Sequence, residues 1–256
     1  MNVIGGNRLN RETLYLPNDD IVNYEFIKVG TRVTLADMCG VGNTVGSQTE
    51  LPIKRIQGRP KKFTWQGWSA VKAFPAVDLS QVAYDSLGML FMYCAAVEDV
   101  NLNDYNWKEN PLFKDATYDA GIYYSTFMGC AALKSLVIPF RSGINWMFYN
   151  SLSGCTSLEN ITFDCDNDTL QFSSNASFSS CPLNEQTLLQ LADKLAYVSG
   201  GVYPLELQQA TAEVTMDKYV KQNADGNLEI CESTDPDALG TLSQYITDKG
   251  WTVSLV

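Results

Sequence analysis

The apolar residues between positions 64 and 183 recur at fixed spacings that define a repeat unit. A complete unit has an apolar residue at its position 1, Cys at position 4, and apolar residues at positions 7, 10 and 12. Units 2, 3 and 4 are complete: Phe91, Cys94, Val97, Val100, Leu102; Phe127, Cys130, Leu133, Leu136, Ile138; and Leu152, Cys155, Leu158, Ile161, Phe163. Unit 1 is degenerate, with Trp65, Trp68, Val71, Phe74 and Ala76, and unit 5 opens with Phe178 and Cys181 but breaks at Pro182.

The period of this pattern indicates an architecture of stacked coils. Position 4 recurs after 26, 36, 25 and 26 residues. Units of this length cannot bury their apolar edge alone, so neighbouring units must cover one another. Stacked coils usually present binding surfaces, and the period therefore favours an interaction protein over an enzyme.

The spacing within a unit predicts its local structure. Positions 10 and 12 are separated by one residue, which places both side chains on one face of a short strand, most clearly at Leu136 and Ile138. Positions 1, 4 and 7 are spaced by three, as in a helical turn that leads into the strand. A free Cys is a small apolar residue that suits a tight stack, so we expect the thiols of position 4 in the core.

Two stretches carry a resemblance to a known family. They are Phe127-Met-Gly-Cys-Ala-Ala-Leu-Lys-Ser-Leu-Val-Ile-Pro139 and Ser153-Gly-Cys-Thr-Ser-Leu-Glu-Asn-Ile-Thr-Phe163. Both are similar to the BspA-like leucine-rich repeats of surface proteins of anaerobic bacteria and of proteins of the phages that infect them. The resemblance spans about residues 64–183. It implies an α/β fold with a leucine-rich-repeat-type solenoid of about four to five coils and a binding role, and it brings no catalytic residues.

One unit departs from the family pattern through an insert, residues 103–123, that lengthens its coil by about ten residues. We expect an excursion from one edge of the arc there. Since aromatic residues dominate binding hot spots, the insert offers a possible binding surface of Tyr105, Trp107, Phe113 and Tyr118. The alternative is that these aromatic side chains pack on the coil beneath them.

The charges divide the chain at about residue 63. Residues 1–63 contain nine basic and six acidic residues, whereas residues 64–256 contain nine basic and 23 acidic residues. An acidic body repels phosphate, so we expect no nucleic acid partner. The basic residues just before unit 1 are either a docking surface or a solvated linker. They are Lys54, Arg55, Arg59, Lys61 and Lys62.

The segments on either side of the repeats read as separate units. Residues 1–63 predict a β-rich docking or capping segment with two or three strands, at 13–16, 21–29 and 31–35. Residues 184–256 predict an α/β cap that covers the last coil. We expect helices at 185–198 and 237–249, strands at 203–207 and 251–256, and a turn at Asp225-Gly226.

Catalysis finds little support in the sequence. The chain has no His, which removes the commonest general base and zinc ligand, and the position 4 thiols have no neighbouring base. The run Asp164-Cys-Asp-Asn-Asp168 alternates acids as calcium loops do, but it lacks their glycine and terminal Glu, so we expect a solvated loop. We predict no catalytic, cofactor-binding or metal-binding residue.

The composition bears on whether the chain spans a membrane, is secreted or contains disulfides. No stretch approaches eighteen apolar residues, and residues 1–20 contain no apolar run, so we expect neither a membrane span nor a signal peptide. Seven Cys are an odd number in a chain of 256 residues that can bury its own core, which argues against a disulfide framework. Adjacent coils nevertheless lie close enough for a disulfide, and that question stays open.

Three functional hypotheses follow. The first is a non-enzymatic structural protein of a phage virion that docks through its N-terminal part and presents an acidic repeat surface. Its partners would be other protein chains of the virion, or a protein or glycan of the host surface. The second is a bacterial cell-surface or secreted adhesin that lacks its leader in this sequence. The third is a carbohydrate-active enzyme based on carboxylates.

Overall fold

The structure, a computed structural model, describes residues 64–82, 88–115, 123–167, 169–172, 176–199 and 204–256, together with the backbone of four N-terminal strands. These parts form a mixed α/β structure of small sheets, some of them parallel, with four α-helices. The sheets they contain do not close into a barrel. None of the helices described is long and apolar enough to cross a membrane.

The elements are as follows in chain order. The strands are β1 Ile4–Gly5, β2 Arg11–Leu16, β3 Asp20–Phe26, β4 Ile53–Gln57, β5 Asp99–Asn101, β6 Ser135–Pro139, β7 Asn145–Trp146, β8 Asn160–Asp164, β9 Gln171–Phe172, β10 Ala176–Phe178, β11 Leu205–Leu207, β12 Tyr219–Gln222, β13 Leu228–Cys231 and β14 Val253–Leu255. The α-helices are α1 Pro111–Lys114, α2 Glu185–Lys194, α3 Gln209–Met216 and α4 Leu242–Asp248, and 3₁₀ turns lie at Leu102–Tyr105 and Trp107–Glu109.

The N-terminal strands form an antiparallel sheet in the order β1-β2-β3-β4. Strands β2 and β3 confirm two predicted strands, and the third, at 31–35, lies outside the described residues. Strand β4 was not predicted from the sequence because its basic residues indicated a linker. It pairs with β3 and lies at an edge of the sheet.

The strands of units 2, 3 and 4 form one parallel sheet in the order β5-β6-β8. Their position 10 residues are direct neighbours, because Val100 pairs with Leu136 and Leu136 with Ile161. All three side chains are buried, as the alternation predicts. Unit 1 differs: Ala76 is exposed, and the neighbouring Val77 is buried in its place.

The segment before each strand is a hydrogen-bonded turn, not a complete helix. The N–H of Cys94 donates to the carbonyl of Phe91 at 3.0 Å, and Cys130 and Phe127 form the same bond at 3.0 Å. This bond spans three residues, as in a 3₁₀ turn, and it brings positions 1, 4 and 7 to one side of the chain. The spacing of three in the sequence therefore corresponds to one turn in the structure.

One continuous core runs through the repeat units and the C-terminal segment. It includes every described residue of positions 1, 4 and 7 in units 2 to 4, and it continues through Leu188 and Leu191 of α2 to Trp251. The ring of Trp251 packs edge-on against Phe172 with centroids 6.0 Å apart. The core thus crosses the predicted boundary at 183/184, and the segment boundaries themselves stay predictions.

Helix α2 covers the free edge of β8. The hydroxyl of Thr187 accepts a hydrogen bond from the N–H of Ile161 at 3.1 Å, and the Gln190 side chain accepts one from the N–H of Phe163 at 3.1 Å. Thr187 and Gln190 are three residues apart and so lie on one face of the helix. Two side chains therefore satisfy the strand donors that another strand would otherwise bind.

The far end of α2 is held by a buried lysine. The Nζ of Lys249 donates to the carbonyls of Asp193 and Leu195, both at 2.8 Å, and lies 5.3 Å from the ring centroid of Tyr197. A cation is favourable at this position because the carbonyls at a helix C-terminus carry partial negative charge. The C-terminal segment is thereby fastened to the helix that covers β8.

The C-terminal elements partly match the prediction. Asn184 caps α2 as predicted, since its Oδ1 accepts from the N–H of Thr187, and Asp225-Gly226 lies in the turn between β12 and β13. Helix α4 begins at Leu242, five residues later than predicted. The reason is that Leu239 and Gly240 exchange backbone hydrogen bonds with Val220 of β12, which excludes helical geometry there.

Helix α3 was not predicted from the sequence. Its threonines and Val214 are typical of strands, but Ala212, Thr215 and Met216 lie on one face and are buried. Packing against the core thus decides the conformation of this segment, and local preference does not.

Candidate functional site

The aromatic residues of the insert are part of the core. Only 6% of Tyr105, 1% of Trp107 and 5% of Phe113 is exposed, so the expectation that they form a binding surface needs correction. Two 3₁₀ turns and α1 direct these side chains inward, where Trp107 stacks on the ring of Tyr123 with centroids 5.6 Å apart. They fill the core beside the insert, and Tyr118 lies outside the described residues.

The basic cluster is only partly described. Lys54 and Arg55 belong to β4, so this part of the cluster is a strand and not the linker that the alternative interpretation predicts. Arg59, Lys61 and Lys62 lie outside the described residues. The docking role of the cluster stays a prediction.

The thiols of position 4 line up in the interior, as predicted. Cys94, Cys130 and Cys155 are fully buried in one core cluster, and none of them is in a disulfide. Burial raises the pKa of Cys94 and of Cys155 to about 12 each. A thiol with so high a pKa stays protonated and unreactive, which indicates a structural role.

The turns before the strands make an uncharged surface. Residues 88–97, 123–133 and 147–158 contain no Asp, Glu, Lys or Arg, although the chain has 47 such residues, 18 basic and 29 acidic. Three tyrosines of these turns are exposed: 47% of Tyr93, 38% of Tyr124 and 51% of Tyr149. We call the turn face the surface formed by these tyrosines and the half-buried Met92 and Met128.

Two of the tyrosines stack on each other. Tyr124 and Tyr149 each lie three residues before position 1 of their unit. Their ring centroids are 5.8 Å apart and the ring planes differ by 16°. The N–H of Ser125 donates to the carbonyl of Tyr149 at 3.1 Å, which fixes the two backbones beside each other. Equivalent positions of adjacent units thus hold the pair in place.

The third tyrosine is held in an unusual conformation. Tyr93 occupies position 3 with φ +63°, whereas Gly67, Gly129 and Gly154 occupy the same position in units 1, 3 and 4 with φ of +83°, +77° and +78°. Left-handed backbone is rare for a bulky residue and costs about 1–2 kcal/mol.

The ring of Tyr93 lies over Gly129. A Cβ added to Gly129 would be 2.7 Å from the Cδ1 of Tyr93, so the missing side chain provides the space for the ring. The N–H of Tyr93 also donates to the carbonyl of Met128 at 2.7 Å. Tyr93 and the tyrosine stack are thus both in contact with the turn of unit 3.

The charges of the repeat units lie after the turns. Position 8 is occupied by Lys72, Glu98, Lys134 and Glu159 in units 1 to 4. Glu98 binds Lys72 at 2.8 Å and Lys134 at 3.1 Å, and hydrogen bonds from these two lysines lower its pKa. Opposite charges alternate here, so the acidic character of the chain is not spread evenly over the units.

The alternating acids do not present a free carboxylate at Asp164. Its Oδ2 accepts hydrogen bonds from Lys108 at 2.6 Å and from Asn103 at 2.7 Å, and the bond from Lys108 is the main cause of its lowered pKa. Asp164 therefore fastens the insert to β8. Asp168 lies outside the described residues.

Sequence reasoning did not identify the turn face. The insert drew attention because its aromatic residues are close together in the sequence, whereas Tyr93, Tyr124 and Tyr149 are far apart. One signal was present: all three lie at positions of the unit that the apolar pattern leaves outside the core.

No protein-family model, no curated protein and no solved structure matches this chain.

Proposed function

We propose that this chain is a non-enzymatic interaction protein that binds another protein through the turn face. Its scaffold is a leucine-rich-repeat-type solenoid of about four to five coils over residues 64–183. The observation that carries the proposal is an uncharged surface on which contacts between adjacent units hold three exposed tyrosines.

Regular contacts between units support the solenoid. Position 4 thiols donate to the position 1 carbonyl of the preceding unit, at 3.0 Å from Cys94 to Trp65 and at 3.2 Å from Cys155 to Phe127. In the strands, Val100, Leu136 and Ile161 are in register. The same positions are therefore in contact in successive units, which is the relation between coils of a solenoid.

The composition of the turn face favours a protein partner. Interface centres are rich in tyrosine and methionine and poor in charge, and the turn face has this composition. Tyrosines also supply a large part of the binding energy at such centres. The strained backbone of Tyr93 is a further indication, because strain of this kind tends to persist where function requires it.

We place the protein in a phage virion, where the N-terminal segment would dock it to a neighbouring virion protein. The resemblance of units 3 and 4 to BspA-like repeats supports this location, and the excess of basic residues in residues 1–63 supports docking to an acidic neighbour. The turn face would then be free for a second protein, either of the virion or of the host surface.

A photo-crosslinking residue tests the binding surface. We would place benzoylphenylalanine at position 124 and, as the matched control, at position 159, where an exposed Glu lies outside the turn face. Irradiation in the natural infection lysate is expected to join one defined protein to position 124 and not to position 159. Equal crosslinking at both positions, or none at position 124, would contradict the proposal.

The location has a separate test. Mass spectrometry of gradient-purified virions is expected to detect the chain at a constant ratio to the major capsid protein. Its absence from the particles, with presence in the cell envelope fraction, would favour the adhesin and reject the virion assignment.

A further inference from the structure

A polar groove separate from the turn face lies where the repeat units meet the C-terminal segment. It has a volume of about 430 Å³ and is bounded by the outer side of β8, by α2 and by the start of β13. Six uncharged polar side chains line it: Asn160, Thr162, Gln186, Thr187, Gln190 and Asn227. A volume of this order suits a small ligand.

Several of these side chains have hydrogen-bonding capacity to spare. Within the described part of the chain, the side chains of Thr162, Gln186 and Asn227 form no hydrogen bond to the protein. Gln190 uses its Oε1 to accept from the N–H of Phe163, and its amide N–H₂ group stays available. The groove therefore presents both donors and acceptors on amide and hydroxyl groups.

The groove offers no unbalanced charge. One acid and one base line it, Asp193 and Lys194, and the Nζ of Lys194 donates to the Asn167 side chain at 2.7 Å. Two leucines, Leu189 and Leu228, supply apolar surface beside the amides. A charged ligand would gain little here, whereas a ligand with both hydroxyl groups and apolar C–H faces would find partners for each.

The walls of the groove are held before any ligand binds. Thr187 and Gln190 fasten α2 to β8 by the two hydrogen bonds to strand N–H groups, and Asn223 fixes the turn before β13 by accepting from the N–H of Asn227 at 3.0 Å. A preformed site loses less conformational entropy on binding and so can bind a small polar ligand.

From these features we infer that the groove binds a neutral saccharide, one or two sugar units of a glycan. Sugar hydroxyl groups would pair with the amides of Gln186, Gln190 and Asn227 and the hydroxyl of Thr162. The sugar C–H face would lie on Leu189 and Leu228. This inference goes beyond the proposed protein binding, since it involves none of the turn-face residues.

The test uses the full chain and a defined panel of probes. Oligomers of mannose, galactose and N-acetylglucosamine are compared with sialylated and sulfated glycans on one array. We expect saturable binding of at least one neutral oligomer. In a ¹⁵N spectrum, that oligomer is expected to shift the side-chain amide signals of Gln186 and Asn227.

Variants link the binding to the groove. Gln186→Ala and Asn227→Ala are each expected to weaken binding of that oligomer roughly tenfold. Gln209→Ala, which removes an exposed amide elsewhere, and Tyr124→Ala are expected to leave it unchanged. Binding by acidic glycans alone, binding by no glycan, or full affinity of folded Gln186→Ala would overturn the inference. None of these results would bear on the proposed protein binding by the turn face.

Discussion

The thiol of Cys130 donates a hydrogen bond to the backbone carbonyl of Phe91, 39 residues earlier in the chain, with Sγ and O 3.1 Å apart. The same carbonyl also accepts the N–H of Cys94, which closes the turn of its own unit. One oxygen thus accepts a hydrogen bond from its own turn and another from the adjacent unit. In units 2 to 4 the side chain at position 4 is both small and a donor, and Cys combines these two properties.

This relationship predicts the effect of removing the thiol. Cys130→Ala deletes a buried donor and leaves a small void, and we expect it to lower the free energy of unfolding by about 1–2 kcal/mol. Urea denaturation measures the change. The control is Cys231→Ala, at a half-exposed thiol of β13, for which we expect less than about 0.5 kcal/mol. Equal losses in both variants would refute a special role for position 4.

The buried thiols also predict a loss of stability at alkaline pH. Burial raises the pKa of Cys94 and Cys155 from an ordinary value near 9 to about 12. Only the unfolded chain then releases these protons above pH 9, so stability is complete below pH 9 and falls as the pH rises towards 12. Each thiol contributes up to about 1.4 kcal/mol per pH unit.

Denaturation at pH 7.5, 9 and 10 checks this dependence. The buried Tyr105 and Tyr123 also have raised pKa values and add to the loss of stability above pH 10. The contribution of the thiols is therefore measured at pH 10 and below. The Cys94→Ala/Cys155→Ala variant is expected to lose less stability between pH 9 and 10 than the wild type. Identical slopes would contradict the assignment to thiols.

Because Thr187 of α2 bonds to the edge of β8, removing its hydroxyl is expected to lower the stability of the protein. Thr187→Val preserves the shape of the side chain but leaves the N–H of Ile161 without a partner, while the carbonyl of Glu159 keeps only the bond from the N–H of Asn184. We expect a loss of about 1–3 kcal/mol in the free energy of unfolding. Thr252→Val, at an exposed threonine, is the control and is expected to change stability by less than about 0.5 kcal/mol.

Substitutions at two glycines with left-handed backbone distinguish the cost of backbone strain from the cost of a steric clash. A Cβ at Gly250 (φ +91°) would lie 2.1 Å from the carbonyl oxygen of Val198, whereas one at Gly143 (φ +77°) would meet nothing within 4 Å. Gly143→Ala is expected to cost about 1–2 kcal/mol from backbone strain alone. Gly250→Ala is expected to lower the melting temperature much further, and similar melting temperatures would show that the backbone simply moves aside.

The strands of the repeat units were predictable because alternation and burial agree at Leu136, Ile138, Ile161 and Phe163. Whether the aromatic side chains of the insert lie in the core or on the surface was not predictable, since their composition would suit either place equally well. Only the close approach of Trp107 to Tyr123 decides the matter. Likewise, no local pattern brings Tyr124 beside Tyr149, because their contact depends on two units lying next to each other.

The most direct measurement is the affinity of the crosslinked partner for the turn face, determined by isothermal titration calorimetry. The Tyr124→Ala/Tyr149→Ala variant is expected to bind at least roughly tenfold more weakly than the wild type, since exposed tyrosines dominate interfaces of this composition. The Glu159→Ala control is expected to bind as the wild type does. Unchanged affinity of the tyrosine variant, with a loss in Glu159→Ala, would contradict the account.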